Sequence, residues 1–204
     1  MEKHEKNIYV QNIEKDIKNF IRLEKNSGKR INWDYYFIKL AISLALRSTC
    51  LRRRYGAIIV DPNTHVIIST GYNGNPSGIK NCTEIGYCFR EKENIPKGML
   101  YDLCFSIHAE QNAIMRAGPR CKGKIMYVSG FDYKEETLVP AGEPCTTKCT
   151  PMIINSGLEE IVYLDENFEI SRKPVWEMRE EINKDVHSEI KKQLKLMKEK
   201  GLKI

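Results

Sequence analysis

Two segments far apart in this chain must meet in space, and that requirement constrains its fold more than any other feature. The first is His108-Ala-Glu-Gln-Asn-Ala113. The second is Glu143-Pro-Cys-Thr-Thr-Lys-Cys149, which leads into Met152-Ile-Ile-Asn-Ser-Gly157. Between them they hold one imidazole and two thiols, His108, Cys145 and Cys149. Three such ligands with a fourth position open to water are the makings of a catalytic zinc site. Glu110 adds a carboxylate that is not needed as a ligand and is suited to moving protons. A purely structural zinc would give Glu110 no task. Each segment reads as the start of a helix, so two helix N-termini should face one point.

The cysteine count supports metal over disulfides. Seven is an odd number, and a chain of 204 residues can build a core without covalent staples. Metal binding in a reducing compartment follows, and the expected location is cytoplasmic. No apolar run approaches the length of a membrane span, and the N-terminus is charged from residue 2, unlike a signal peptide. The net charge of +6 suits an anionic small molecule as well as a nucleic acid. Basic residues are interleaved with acids, which makes a nucleic-acid partner the weaker reading.

Along the chain, residues 1–31 read as an N-terminal extension, charged, with sparse apolar anchors at Ile13, Ile17, Phe20 and Ile21. Residues 32–171 read as the main domain and 172–204 as a C-terminal amphipathic helix. Trp33, Tyr36, Phe37, Leu40, Ala41, Leu44 and Ala45 recur at helical spacing. Tyr55–Asp61 and His65–Thr70 predict two strands joined by the Pro62-Asn63 turn, an antiparallel hairpin. Ser106 predicts the cap of a helix over 107–116, stopped by Gly118-Pro119. Ile125–Ser129 and Ile161–Leu164 predict strands, with a short one at Phe168–Ile170. Pro144 should open the helix that ends near Gly157. Residues 130–142 are a polar insertion, a small hairpin or a lid. From Pro174 a stripe through Val175, Met178, Ile182, Val186, Ile190, Leu194 and Met197 predicts one long helix. The alternation implies an α/β fold, a three-layer α-β-α sandwich with a mixed central sheet.

Three further features carry chemistry. Arg47, Arg52, Arg53 and Arg54 are candidates for phosphate or nucleotide contact, or a solvated cluster at a helix end. Gly71-Tyr-Asn-Gly-Asn-Pro-Ser-Gly78 is a shaped loop that can bring backbone close to a ligand. Cys82, Cys88 and Cys104 lie in a long connection over 79–107, which needs an anchor. They supply three ligands of a second, structural zinc with the fourth from elsewhere, or are buried free thiols.

Two geometric questions stand at the main site. Residues two apart in mid-helix point to different sides, so His108 and Glu110 share a pocket only if the helix end projects into it. Cys145 and Cys149 are separated by three residues where two are usual in H-x-E…P-C-x-x-C zinc nucleobase deaminases. Ligands at i and i+4 still share a helix face, so the wider interval is no bar.

The sequence resembles the zinc-dependent cytidine and deoxycytidylate deaminase family, and within it the deoxycytidylate (dCMP) deaminases. The resemblance covers roughly residues 33–165. It rests on Ala45-Leu-Arg-Ser48, Gly56-Ala-Ile-Ile-Val-Asp61, the 71–78 loop, Asn81-Cys-Thr-Glu-Ile-Gly86, His108-Ala-Glu-Gln-Asn-Ala-Ile114, and Pro144-Cys145…Cys149 with the Met152–Gly157 stretch. It implies a cytidine deaminase-like fold with zinc on His108, Cys145 and Cys149. Glu110 would be the proton shuttle in converting dCMP to dUMP and ammonia, which supplies the dTMP precursor. It further implies that Asn73 meets the sugar hydroxyl and that Ala109 presents backbone to the base. It also implies a homo-oligomer, with dCTP and dTTP as regulators and magnesium accompanying the triphosphate. A deaminase of another nucleoside, nucleotide or tRNA base shares the same zinc chemistry. A zinc-stabilised interaction or DNA-handling protein without catalysis remains a second alternative.

Overall fold

The structure is a computed structural model. It describes residues 28–95 and 100–199, with backbone only at Asp102, and five isolated residues before them: Lys15, Lys18, Ile21, Arg22 and Lys25. Those five are helical. Ile13, Ile17 and Phe20, three of the four predicted anchors, lie outside the described residues. The chain divides into two units, residues 1–33 and 34–204.

The second unit is organised by a six-stranded sheet. Its strands are β1 (Arg53–Val60), β2 (Ile67–Tyr72), β3 (Ile125–Asp132), β4 (Thr137–Val139), β5 (Glu160–Leu164) and β6 (Ile170–Pro174). The order is β2-β1-β3-β5-β6, and β4 pairs the far end of β3. The β3–β5 pair is parallel and the others antiparallel, which makes the sheet mixed. β5 pairs β3 as far as Val128, and β4 takes over the same edge from Gly130. The 130–142 insertion is therefore a hairpin that lengthens the sheet.

Helices cover both faces. On one side α1 (Trp33–Ala45) buries Phe37, Ile38 and Ala41 against Ile58, Val60, Tyr127, Val162 and Leu164. On the other lie α4 (Ala109–Ala117), α5 (Cys149–Ser156) and α6 (Val175–Lys184), over Ala57, Ile59, Met126, Val128, Ile161 and Tyr163. Alternate residues of β1, β3 and β5 thus feed two cores, which is the three-layer sandwich that the alternation predicts. Two short helices, α2 (Cys82–Ile85) and α3 (Phe89–Lys92), and a 3-10 turn at Tyr101–Leu103 punctuate the long connection.

Several boundaries differ from the sequence reading. Helix α4 is capped by His108, not Ser106, because Ile107 is held extended by a bridge to Gly74. The helix after Pro144 begins only at Cys149, and residues 144–148 form the turn before it. β1 begins at Arg53, because β3 continues past Ser129 and pairs with it as far as Asp132. His65 is in the left-handed region (φ 58°), and β2 starts after it. The last helix is two, α6 and α7 (Ser188–Glu199), and β6 runs across the boundary expected at 172. Asp185 is extended, and its carboxylate accepts the His187 N–H at 3.0 Å, a local bond that competes with helix continuation.

Candidate metal centre

The first helix of the site is placed by β2. Gly71 presents bare backbone there: a Cβ would lie 2.2 Å from the Ala109 carbonyl oxygen and 2.5 Å from the Ala113 nitrogen. Three side-chain bonds then tie α4 down. The Ser69 hydroxyl donates to the Ala113 carbonyl at 2.7 Å, Asn112 Nδ2 to that of Tyr72 at 2.8 Å, and Arg116 Nη1 to that of Thr70 at 2.9 Å. Just upstream, Ile107 and Gly74 exchange both backbone bonds, at 2.9 and 3.1 Å.

This arrangement answers the first geometric question. His108 is an N-cap with extended backbone (ψ 159°), so the spacing rule for mid-helix residues does not apply to it. Its N–H donates to Gln111 Oε1 at 3.0 Å, one half of a capping box. His108 and Glu110 both lie at the helix end.

The second segment enters at the carboxyl end of β5, where the Ala141 N–H donates to the Leu164 carbonyl at 3.1 Å. The Cys145 carbonyl then accepts from both Cys149 and Thr150, each at 3.1 Å. That double acceptance widens the turn and absorbs the additional residue between the cysteines. Cys149 sits at the first position of α5 and is fully buried.

The three ligand atoms converge. His108 Nδ1 lies 3.2 Å from Cys149 Sγ and 3.4 Å from Cys145 Sγ, and all three lie within 4.8 Å of one another. It is the only such cluster among the described residues. Both thiols are free rather than joined. Soft sulfur and imidazole donors at this separation fit zinc. The Tyr101 ring meets the imidazole edge-on, 5.5 Å between centroids.

Charge is shared unequally in this cluster. The Cys149 thiol beside Cys145, with His108 opposite, holds the Cys145 pKa down at about 4. Cys149 is pushed up, by Cys145 first and by burial next. One thiol keeps the proton that the other has lost. Burial opposes charge on His108, but the Cys145 hydrogen bond and the Glu110 carboxylate outweigh it and raise its pKa. Burial raises the pKa of Glu110, which is 8% exposed, with His108 acting against the shift. A carboxyl group shifted this way holds its proton more readily than a free one, as a group that moves protons must.

Comparison with known proteins agrees with this chemistry. A family model described as the cytidine and deoxycytidylate deaminase zinc-binding region matches residues 31–165, about two thirds of the chain. The chain belongs to that family. Deoxycytidylate deaminase of Schizosaccharomyces pombe is 38% identical over 136 residues, 66% of this chain and 37% of the relative. That of Saccharomyces cerevisiae is 37% identical over 134 residues, 66% of this chain and 38% of the relative. The deoxycytidylate deaminase of Mycobacterium phage D29 is 32% identical over 143 residues, 68% of this chain and 98% of its own length. The chain thus matches little more than a third of the fungal relatives and nearly all of the phage one. A solved dCMP deaminase from the cyanophage S-TIM5, in complex with dCMP and dUMP, is 24% identical. It matches 65% of this chain and 81% of its own, with a TM-score of 0.44.

The remaining candidates of this deaminase family member fall into groups. Asn73 is buried, its Oδ1 accepting the Tyr55 N–H at 2.8 Å and its Nδ2 donating to the Arg53 carbonyl at 2.9 Å. One amide proton and one lone pair are left over. Ala109 is the first residue of α4, where the N–H has no intrahelical acceptor. Strand parity separates the arginines. Arg53 shares a face with Tyr55, Ala57 and Ile59, the face of the cluster, and Arg54 takes the opposite face with Ile58. Arg47 is exposed in the turn after α1. Cys82, Cys88 and Cys104 are half-buried and stand apart from the zinc cluster.

Two neighbours of the site escaped the sequence reading. Tyr101 packs on His108, and the half-buried Tyr55, its phenol pKa raised by desolvation, lies in the field of Arg53, Glu110 and Tyr101. No spacing announces either. Tyr55 reads as an ordinary strand residue, and Tyr101 sits in a connection without periodicity. Among the described residues no helix is long and apolar enough to cross a membrane.

Proposed function

We propose that this chain catalyses the hydrolytic deamination of dCMP to dUMP, with release of ammonia. The observation that carries the reading is the convergence of His108, Cys145 and Cys149 at two helix starts, with Glu110 buried beside them. Zinc held there would supply a water acidified toward neutral pH. Glu110 takes a proton from the attacking water and delivers it to N3 of the cytosine as oxygen bonds to C4. It then carries the second proton to the amine, the C4–N4 bond breaks, and ammonia leaves. Tyr101, against His108, forms part of the wall beside the base. Ala109 offers its backbone to the base, and Asn73 uses its spare amide proton or lone pair on the sugar hydroxyl. The names of the relatives and the cluster-side position of Arg53 support a 5′-phosphate, since guanidinium–phosphate bonds are charge-assisted.

A second, structural zinc is part of the same reading. Cys82 is pushed up to about 11 by burial and by Cys50, Cys104 and Cys88 around it. Cys50, raised by burial, likewise feels Cys88 and Cys104. The hydrogen bond from Thr49 Oγ1 to Asn81 Oδ1, 2.9 Å, ties the segments that precede Cys50 and Cys82. Cys50 is the candidate for the fourth ligand, although the four thiols do not converge as closely as those of the main site. Homo-oligomerisation draws support from exposed Leu103, Phe105 and Met115. Control by dCTP and dTTP with magnesium rests on the family resemblance alone.

The test is one substrate panel: cytidine, deoxycytidine, CMP, dCMP, dCTP and a tRNA, each assayed for ammonia with and without added dCTP and magnesium. The reading predicts dCMP as the preferred substrate by a wide margin in kcat/KM. Equal rates on deoxycytidine and dCMP would refute the phosphate argument, and activity on tRNA alone would place the chain with the tRNA-acting deaminases.

A further inference from the structure

The first residues of the 130–142 hairpin turn, Asp132 to Lys134, are bound to the site end of the sheet and to α3. Asp132 is directly cross-strand from Arg53, and its Oδ2 lies 3.8 Å from Arg53 Nε. Its other oxygen accepts the N–H groups of Lys134 and Glu135 at 3.0 and 3.2 Å, so the carboxylate is fixed by its own hairpin turn. The Tyr133 N–H donates to the Arg52 carbonyl at 2.8 Å, and the Arg54 guanidinium lies over the Tyr133 ring at 3.6 Å. Lys134 Nζ bonds Glu91 at 2.6 Å, and Glu91 also faces Arg52 at 3.8 Å. The hairpin is thus stitched to three consecutive arginines and to α3.

We propose that Asp132 is a positioning residue for Arg53, and that the inserted hairpin is a built wall of the nucleotide site. Arg53 is held at both ends. Asn73 takes its carbonyl, and Asp132 faces its Nε. At 3.8 Å the pair is ionic and not a hydrogen bond, so Asp132 orients the guanidinium fork by charge without using up one of its N–H donors. Arg53 stands on the cluster side of β1, beside Tyr55. Without Asp132 the arginine has its long rotamer freedom back and presents the fork less often. The 3.8 Å pair is partly exposed, 29% and 19% for the two side chains, so its contribution to folding is small and its removal leaves the fold in place.

This inference rests on the proposed dCMP reading, and the experiment separates the two. D132N keeps an oxygen for the Lys134 and Glu135 amides but turns a neutral amide toward Arg53. R53Q removes the fork itself. Each is assayed on dCMP and on deoxycytidine beside the parent, with zinc content matched. The expected result for D132N is a KM for dCMP raised about tenfold, with kcat and both deoxycytidine constants unchanged. R53Q should abolish the preference for dCMP. Loss of preference in R53Q but not in D132N overturns the role of Asp132 and leaves the phosphate reading standing. An unchanged preference for dCMP in both overturns the roles of Arg53 and Asp132 and leaves the dCMP reading standing, whereas a parent with no preference for dCMP overturns that reading itself. A lower KM for dCMP in D132N would make Asp132 a charge that merely repels phosphate, and also overturns the proposal.

Discussion

His108 Nδ1 and Cys149 Sγ lie 3.2 Å apart although 41 positions separate them in sequence. The contact joins an N-cap to the first residue of another helix, and each is fixed by its own backbone. The imidazole is set by the Ile107–Gly74 bridge and the sulfur by the wide turn on the Cys145 carbonyl. The site is therefore a property of two helix starts, held in place by the sheet below them.

Metal content follows directly. The chain should carry close to two zinc ions, and C145A or C149A should each lose one, read by elemental analysis of the purified protein. C82S and C104S should lose the other while keeping the catalytic one. A parent with a single zinc that C82S does not change would remove the four-thiol site. Unchanged zinc in both C145A and C149A would remove the main one.

Gly71 is where the sheet admits α4. A methyl group there collides with backbone at Ala109 and Ala113, which cannot move aside as a side chain would. G71A should destabilise the protein by about 1–3 kcal/mol, as overpacking does, and lift the helix that carries His108 and Glu110. Thermal denaturation and zinc affinity should fall together. A variant with parental Tm and parental zinc affinity would mean that α4 does not rest on this glycine.

Much of this placement was legible in advance, and the failures have physical causes. The ligand set could be read because few residue types bind zinc, and α1 because its apolar spacing is undisturbed. The cap of α4 was misplaced by two residues. Ser106 has the better capping side chain, but the Ile107 pairing with Gly74 is tertiary and keeps residues 106–107 extended. The start of β1 was missed for a similar reason. Arg53 and Arg54 have no strand signature of their own and are drawn into β1 by the lengthened β3. The apolar stripe of the C-terminus continues across Asp185, whereas the backbone does not.

Stability should depend on acid through Asp61. Its carboxylate accepts Lys124 Nζ at 2.6 Å and the N–H groups of Asn63 and Thr64 at 2.9 and 3.1 Å. Lys124 first, then the Asn63 amide, hold its pKa at about 2, below the ordinary 3.8. A depressed carboxylate stabilises the fold above its unfolded pKa and loses that contribution as pH falls through the folded one. D61N should therefore be less stable than the parent at pH 7, with the gap closing between about pH 4 and pH 2. Denaturant midpoints at pH 7 and pH 3 check this, and a gap that widened in acid would be the wrong sign.

Glu110 gives the most direct test of the whole account. Its carboxylate lies beside the three ligands without being one of them, so E110Q should fold and keep parental zinc. Ammonia release from dCMP is measured for parent and E110Q at equal zinc content. The account predicts that E110Q loses about 10²–10⁴-fold in kcat, the usual worth of a positioned acid–base group. Turnover by E110Q near that of the parent would contradict it.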